Sequence, residues 1–457
     1  MIQMLIRNMF ELFKNLRAKE TFRRLITNIK QSAFLKNLLI VMSGTSIAQV
    51  IGYALSPIIS RLFFPEDFGI FGSFNAIAGI IGALITLDYS QAIMLPREKK
   101  EAINLFSVSI ISTMFISFLT ITFSIITPST IQNITKTKGV WPLILLLLTI
   151  IITGVNQASQ AWAVRTKAFK KTSASQVIRS ISSSGTRIIF GIFKTGALGL
   201  IISNIIANIM ASINLVLLVI PDLHLLKDSI TLKRIKMLAK EYIDFPLYSA
   251  SQNFINAISS GLPVLLLSKY YGLAVAGAYA FGVSILQAPM NLILTALRQV
   301  LFQKACEFQH QGRSISSLYI KTVLILFAMA IIPSLIMIIW APQIFSFIFG
   351  TKWYQAGILA RILIIWLAIA FCNLPAVLFA RIIRIQRFVF FYDLILLAAR
   401  TLTLVLGGIY LKVTHTVAAF SVLGSVMNIF LIYYVGHTVM KKEGKIDVSP
   451  LTILLRE

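Results

Sequence analysis

Arg187 and Arg400 each lie near the middle of an apolar stretch long enough to cross a bilayer, and Asp393 precedes Arg400 by seven residues on the same helical face. An ionised side chain at that depth costs about 2.5 to 3.5 kcal/mol on insertion scales, so it faces a cavity or a partner. Arg361 stands one turn inside the start of a third stretch, Arg298 ends a fourth, and Asp88 sits in the later half of a fifth. The chemistry on offer is a cationic cavity for an anionic substrate. Asp88 and Asp393, with Asp244 as a weaker candidate, would serve as partners or as carriers of a coupling proton or sodium ion. Local pairing and snorkelling toward lipid headgroups are the other uses of such side chains, and they suit Arg298 and Arg361 equally well.

Neutral polar residues extend the pattern. Thr45, Gln49, Tyr53, Ser56 and Ser60 share one helical face, and Ser249, Asn253, Asn256 and Ser260 share another. Asn156 with Gln160 and Asn204 with Asn208 are four-residue pairs. Amides and hydroxyls both donate and accept, which suits sugar hydroxyls; it suits helix–helix hydrogen bonds just as well. Gln49, Asn253 and Asn256 join Arg187, Arg400, Arg298 and Arg361 as the candidate substrate-binding set, with Asp88 and Asp393 as ion-coupling candidates.

Other chemistries find no support. The sequence has no G-x-x-x-x-G-K-[ST] phosphate loop. His224, His310, His415 and His437 show no metal or triad spacing, and Cys306 and Cys372 read as packing residues. No cofactor or metal is implied, and an ion gradient is the energy source to expect. Asn133-Ile134-Thr135 matches a glycosylation sequon, a pattern common by chance.

The elements that must position these residues are membrane helices. Of 457 residues 57% are hydrophobic and 13% charged, with a net charge of +26. A soluble chain this basic would suggest nucleic acid; here the charge is a topology signal and an attraction to anionic lipid. Twelve apolar stretches fall at about 38–62, 69–94, 105–127, 141–163, 176–196, 198–220, 246–268, 272–298, 319–340, 356–379, 388–411 and 415–439. Lys and Arg favour alternate gaps by roughly fourfold, which puts both termini in the cytoplasm. Trp141, Tyr270, Tyr271, Trp340 and Trp353 fall at outer span ends, where amphipathic rings anchor helices. Residues 1–37 read as a basic amphipathic leader on the cytoplasmic lipid surface, with Ile2, Leu5, Met9, Phe13 and Leu16 at helical spacing. The expected organisation continues with a six-helix lobe at 38–220, a cytoplasmic connecting loop at 221–245, a second six-helix lobe at 246–440 and a tail at 441–457.

The two lobes are repeats. A shift of 208 residues aligns Ser60-Arg61-Leu62-Phe63-Phe64 with Ser268-Lys269-Tyr270-Tyr271-Gly272, Gly69 with Gly277, Phe71 with Tyr279 and Gln91 with Gln299. Six helices per repeat make it parallel, with its axis along the membrane normal, which is a transporter plan with substrate between the lobes. Pro57, Pro263, Pro289, Pro333 and Pro375 are expected to kink their spans. Gly44/Ala48/Gly52 and Ala274/Ala278/Gly282 would allow close helix packing.

Gly44-Thr45-Ser46-Ile47-Ala48-Gln49, then Ser60-Arg61-Leu62-Phe63-Phe64-Pro65-Glu66-Asp67-Phe68-Gly69-Ile70-Phe71, then Gln91-Ala92-Ile93 resemble the Wzx-type O-antigen flippases. These form the polysaccharide biosynthesis family of the multidrug, oligosaccharidyl-lipid and polysaccharide exporter superfamily. The turn after the first span is the most specific element. The resemblance implies an all-α, V-shaped pair of six-helix bundles in the bacterial inner membrane. It implies no enzymatic step, but flipping of an undecaprenyl-diphosphate-linked oligosaccharide (an O-antigen, capsule or related unit for lipopolysaccharide or polysaccharide biosynthesis) to the periplasmic leaflet. The partners implied are that lipid-linked oligosaccharide and the phospholipid membrane, with a glycan polymerase and chain-length regulator as candidates; nucleic acid is not among them. An ion-coupled multidrug antiporter of the same superfamily is the alternative, weakened because Leu38 to Phe63 contains no carboxylate. A membrane polymerase or ligase would need a larger outer loop than 127–140, the longest outer gap. A scaffold for the assembly machinery is a further reading.

Overall fold

The computed structural model describes residues 33–126, 141–222, 232–310 and 314–446. Residues 1–32 of the leader, the sequon at Asn133 and most of the tail lie outside these residues, and the last part of the leader is the start of the first helix. All regular elements among the described residues are helical. The first span is α1 (Ala33–Ala54) with α2 (Ser56–Leu62), and the second is α3 (Pro65–Gly82) with α4 (Tyr89–Ala92). The third to sixth are α5 (Lys99–Ile126), α6 (Trp141–Arg165), α7 (Phe169–Ile192) and α8 (Ala197–Val216). A connector helix, α9 (Leu232–Glu241), leads to a π-helical turn at Phe245–Ala250. The second lobe holds α10 (Ser251–Tyr271), α11 (Leu273–His310), α12 (Ile315–Phe349), α13 (Tyr354–Phe371) with α14 (Leu374–Ile382), α15 (Gln386–Tyr410) and α16 (Val413–Ile446).

Twelve spans thus stand where the hydropathy places them, but three are broken. Pro57 opens α2 and Pro375 opens α14, each at a break in its span. Pro263, Pro289 and Pro333 lie inside continuous helices instead. The second span breaks without a proline. After Gly82 the backbone unwinds to Asp88, and Leu87 and Asp88 adopt left-handed φ of 47° and 59°. Among the described residues, eight helical segments are long and apolar enough to cross a membrane by composition alone. The first, second, fifth and seventh spans are not among them, and polar residues lower the mean hydropathy of the second, fifth and seventh.

Small residues set the packing. The place of a Cβ on Gly44 is filled by Ser173, and Ser180 donates to the Ala48 carbonyl, so the Gly44/Ala48/Gly52 stripe lays α1 on α7. Gly282 comes up against Ala356 and Ala360, laying α11 on α13. The lobes themselves meet where α3 packs on α10 and α11. There a Cβ on Gly69 would overlap the Leu273 carbonyl, and one on Gly277 would overlap the Pro65 carbonyl. Pro65 and Leu273 are themselves repeat mates at the 208-residue offset. The contact is therefore reciprocal, as a two-fold axis between the lobes demands.

The connector is stitched to the first lobe. Leu238 is buried beside Tyr89 and Trp162, and the Tyr89 hydroxyl donates to the Ala239 carbonyl at 2.8 Å. Lys99 pairs with Asp222 at 2.5 Å and Arg234 approaches Glu101 at 3.7 Å.

Candidate functional site

The turn between the first two spans, Ser60 to Gly69, closes one end of the space between the lobes. Pro65 starts α3, and the Phe64 amide is capped by Asp67 Oδ2 at 2.9 Å. That cap aims Phe68 across to the second lobe, where it meets Phe281 (5.3 Å between centroids) and Trp353 (5.1 Å) edge-on. Phe349 and Phe345 complete the cluster around Phe281. Hydrogen bonds cross at the same level. Ser60 Oγ donates to the Phe349 carbonyl (3.1 Å), Trp353 Nε1 to the Ser60 carbonyl (2.8 Å), Lys352 Nζ to the Arg61 carbonyl (2.9 Å) and Arg61 to the Phe347 carbonyl (3.2 Å). Gly350, at φ +106°, lets the chain leave α12 and turn back into this seal. Trp353 is thus no interfacial anchor: it is fully buried in the seal, because its indole N–H finds a carbonyl of the other lobe.

Beneath the seal lies a cavity of about 800 Å³ whose roof includes Phe68 and Phe281. Arg179, Arg187 and Arg400 line it, together with Asn75, Asn204, Gln287, Ser259 and Ser260, and among the described residues no carboxylate does. Arg187, from α7, lies over the Phe71 ring at 5.1 Å. Arg400, from α15, lies over Trp366 at 5.0 Å and Phe420 at 5.5 Å, and donates to Ser259 Oγ at 3.0 Å. An aromatic face holds one side of a guanidinium while leaving its donors free. Nε of Arg187 and Nε of Arg400 are buried without a hydrogen-bond partner. Among the described residues neither Arg179, Arg187 nor Arg400 has a carboxylate within ion-pair distance. Three arginines that close no ion pair among the described residues and keep donors free can offer charge-assisted hydrogen bonds to an anion.

A second chamber, of about 480 Å³, adjoins the break in the second span. Asp88, Ser90, Gln91, Gln157 and Gln160 line it from the first lobe and Asn253 from the second. Gln157 holds the unwound turn: it donates to the Gly82 carbonyl and accepts from Thr86 Oγ1, both at 3.2 Å.

Of the residues singled out in the sequence, the fold brings Arg187 and Arg400 to the central cavity and Asp88 and Asn253 to the second chamber. Arg361 lines neither; it donates to the Ile339 carbonyl at 2.9 Å and ties α13 to α12. Arg298 and Asn256 are exposed outside both chambers, and Gln49 is half-buried in α1 away from them. Asp393 is half-buried on α15 and does not close an ion pair with Arg400. Asp244 is exposed before the π-helical turn, outside both chambers. Arg179 was missed because it falls at the edge of its apolar stretch, where a cation ordinarily snorkels. The signal was its spacing, two turns before Arg187 on a helix whose intervening positions are rich in serine. The amide pairs divide: Asn204 reaches Asn75 at 3.3 Å in the cavity, whereas Asn156 bonds Ser212 at 2.9 Å and joins α6 to α8.

Residues 58–357 match the family described as "Polysaccharide biosynthesis protein". No curated protein matches the chain by sequence. Among solved structures the fold is similar to an inward-facing multidrug resistance transporter of the MATE family in the MOP superfamily, with TM-score 0.68 and 14% identity over 87% of this chain and 96% of that one. It is similar to the lipid II flippase MurJ in an inward closed conformation, with TM-score 0.68 and 13% identity over 89% and 93%. It is similar also to a MOP-superfamily transporter from Pyrococcus furiosus described by the reverse polarity of its binding pocket, with TM-score 0.59 and 16% identity over 89% and 96%. At these identities the likeness establishes the fold, two six-helix bundles in a V.

Proposed function

Because this chain belongs to the polysaccharide biosynthesis protein family, matched over residues 58–357, we propose that it is a flippase for an undecaprenyl-diphosphate-linked oligosaccharide. The observation that carries the reading is the cavity charge: Arg179, Arg187 and Arg400 face it, and among the described residues no carboxylate does. A diphosphate cannot cross hydrocarbon unaided, since a charge there costs several kcal/mol at least. Three guanidiniums with free donors offset that cost through charge-assisted hydrogen bonds. The polyprenyl tail stays in the bilayer while the headgroup crosses between the lobes.

The Lys and Arg asymmetry supports cytoplasmic termini, so the Ser60–Trp353 seal faces the periplasm and the Asp88 chamber faces the cytoplasm. This conformation would then receive substrate from the side where such lipids are made. Rocking of the lobes about the Gly69–Gly277 contact would break the seal and release the headgroup outward. The same fold serves multidrug exporters, but a carboxylate-free arginine cavity repels the organic cations that an antiporter would carry.

Deleting the gene and following its lipid-linked glycans tests the reading. The complete oligosaccharide lipid should build up on the cytoplasmic leaflet and the surface polymer, O-antigen or capsule, should disappear. Normal polymer with no accumulated intermediate would overturn it.

A further inference from the structure

We infer that the amide-lined chamber at the break in the second span is a sugar-binding subsite, which holds the uncharged glycan while the arginines of the central cavity hold the diphosphate. The inference rests on the flippase reading and divides its substrate between two chambers.

The backbone supplies the first argument. From Ala83 to Asp88 the second span is not helical, and two non-glycine residues sit in left-handed conformations. Irregular backbone at membrane depth persists only where it is buried in protein or lines a polar space. Gln157 bonds both sides of that turn and holds it open toward the chamber. Two adjacent residues in this conformation are held by tertiary contacts rather than by local preference, which fixes the shape of the chamber wall.

The lining supplies the second. Among the described residues no lysine or arginine faces the chamber, and Asp88 is its one charge. Gln91, Gln160 and Asn253 make no side-chain hydrogen bond among the described residues. Each free amide offers donors and an acceptor, and a carboxylate accepts from two neighbouring hydroxyls. Gln91 and Asn253 are exposed to the chamber and Gln160 is half-buried, so their amides stand open to an occupant, and a chain of hydroxyl groups matches the mixture. The volume suits a short oligosaccharide. A metal ion fits poorly, since among the described residues no three His, Cys, Asp or Glu gather.

Connectivity supplies the third. Gly79 lines the central cavity and Gly82 the chamber, on adjoining turns of α3, and a Cβ at Gly79 would meet nothing. On the opposite wall, Gln160 also borders a cleft shared with Arg179, which itself faces the cavity. A headgroup can therefore lie with its phosphates at the arginines and its sugars along the amides.

The test uses the full-length chain in lipid nanodiscs and two probes. One is undecaprenyl diphosphate. The other is the lipid-linked oligosaccharide extracted from cells lacking the protein. Wild type should bind the glycan-bearing lipid about tenfold or more tighter. Gln91→Leu/Gln160→Leu/Asn253→Leu should reduce that preference to about threefold or less while leaving undecaprenyl diphosphate binding unchanged, which also shows the variant is folded. Arg187→Ala/Arg400→Ala should weaken both lipids together. If the leucine variant binds neither lipid, Asn253→Ala alone carries the same prediction at smaller size. A glycan preference that survives in these variants, or is absent in wild type, overturns the subsite. If wild type binds neither probe, the flippase reading itself fails.

Discussion

Arg187 and Arg400 occupy corresponding spans of the two lobes and each rests on an aromatic face, yet their seats are unlike. Arg400 is held on several sides, by Trp366, Phe420 and a hydrogen bond to Ser259, all within its own lobe. Arg187 rests on Phe71 alone and has Arg179 two turns before it. The spans facing them differ as well: α11 runs unbroken from Leu273 to His310, whereas its repeat mate breaks after Gly82. One lobe offers a fixed cation in a packed wall. The other offers freer cations beside an opened helix and a polar chamber. The difference teaches that a symmetric frame carries an asymmetric site, as a substrate with a charged end and a sugar end would require.

Removing both seats should have the largest effect. Arg187→Ala/Arg400→Ala is expected to abolish transport, with membrane abundance kept, as read by accumulation of the lipid-linked intermediate. Each single change should cost about 1.5 to 3 kcal/mol of binding, roughly 10- to 100-fold. The singles sharpen the comparison. Arg400→Ala also leaves Ser259 unpaired and strips a contact from Trp366, so its thermal stability should fall. Arg187→Ala should lose transport with stability near wild type. Equal stability losses in the two would break the distinction between a fixed and a free seat.

Next in size is the axis that joins the lobes. Gly277→Val places methyls where the Pro65 carbonyl lies, and Gly69→Val does the same to Leu273. Overpacking of this kind costs about 1 to 3 kcal/mol and should shift the lobes away from the sealed arrangement. A cysteine at Ser60, guarded by the Phe349 and Trp353 contacts, should then react faster with a membrane-impermeant maleimide added outside. Reciprocity predicts similar gains from both variants. A large gain from one and none from the other would mean that the two-fold relation does not govern the motion.

Much of this plan was legible in the sequence, for reasons particular residues make plain. Hydropathy places twelve spans because lipid demands about 20 apolar residues for each, and the offset of 208 residues that pairs Gly69 with Gly277 reappears as a physical contact. Arg187 and Arg400 were visible because a cation at mid-span is farther from the headgroups than one at a span edge, so a cavity explains it better than snorkelling. Arg179 was not, because at a span edge it does. Trp353 reads as an interfacial ring by position, and only the approach of Ser60 from the other lobe reveals it as part of a seal. The break in the second span was hidden because no proline or left-handed glycine announces it; Gln157, distant in sequence, holds it. Asn156 and Asn204 look alike as members of four-residue pairs, and tertiary neighbours alone decide that one joins helices and the other faces the cavity.

The aromatic seats should matter less than the cations they carry. Phe71→Leu keeps an apolar side chain and removes the ring beneath Arg187, which should weaken undecaprenyl diphosphate binding by about 0.5 to 1 kcal/mol, up to roughly fivefold. Trp366→Leu should weaken it by a similar amount and destabilise the fold besides, because Trp366 also packs on Phe420. If Phe71→Leu matched Arg187→Ala in its effect, the ring would have to meet the substrate itself, with the guanidinium as a bystander.

The smallest effects belong to the cations outside both chambers, and they test where the site ends. Arg361 spends a donor on the Ile339 carbonyl, so Arg361→Ala should lower thermal stability by about 1 kcal/mol and leave transport per molecule unchanged. Arg298 is exposed in the later part of α11, and Arg298→Ala should change neither. Both arginines share side chain and membrane setting with Arg187, so composition cannot separate them; only position relative to the cavity does. A transport defect in Arg298→Ala at normal abundance would extend the anion path along α11 toward the end opposite the seal. The second lobe would then contribute a run of cations of its own, and the contrast between a fixed wall and a selective wall would have to give way to two selective walls.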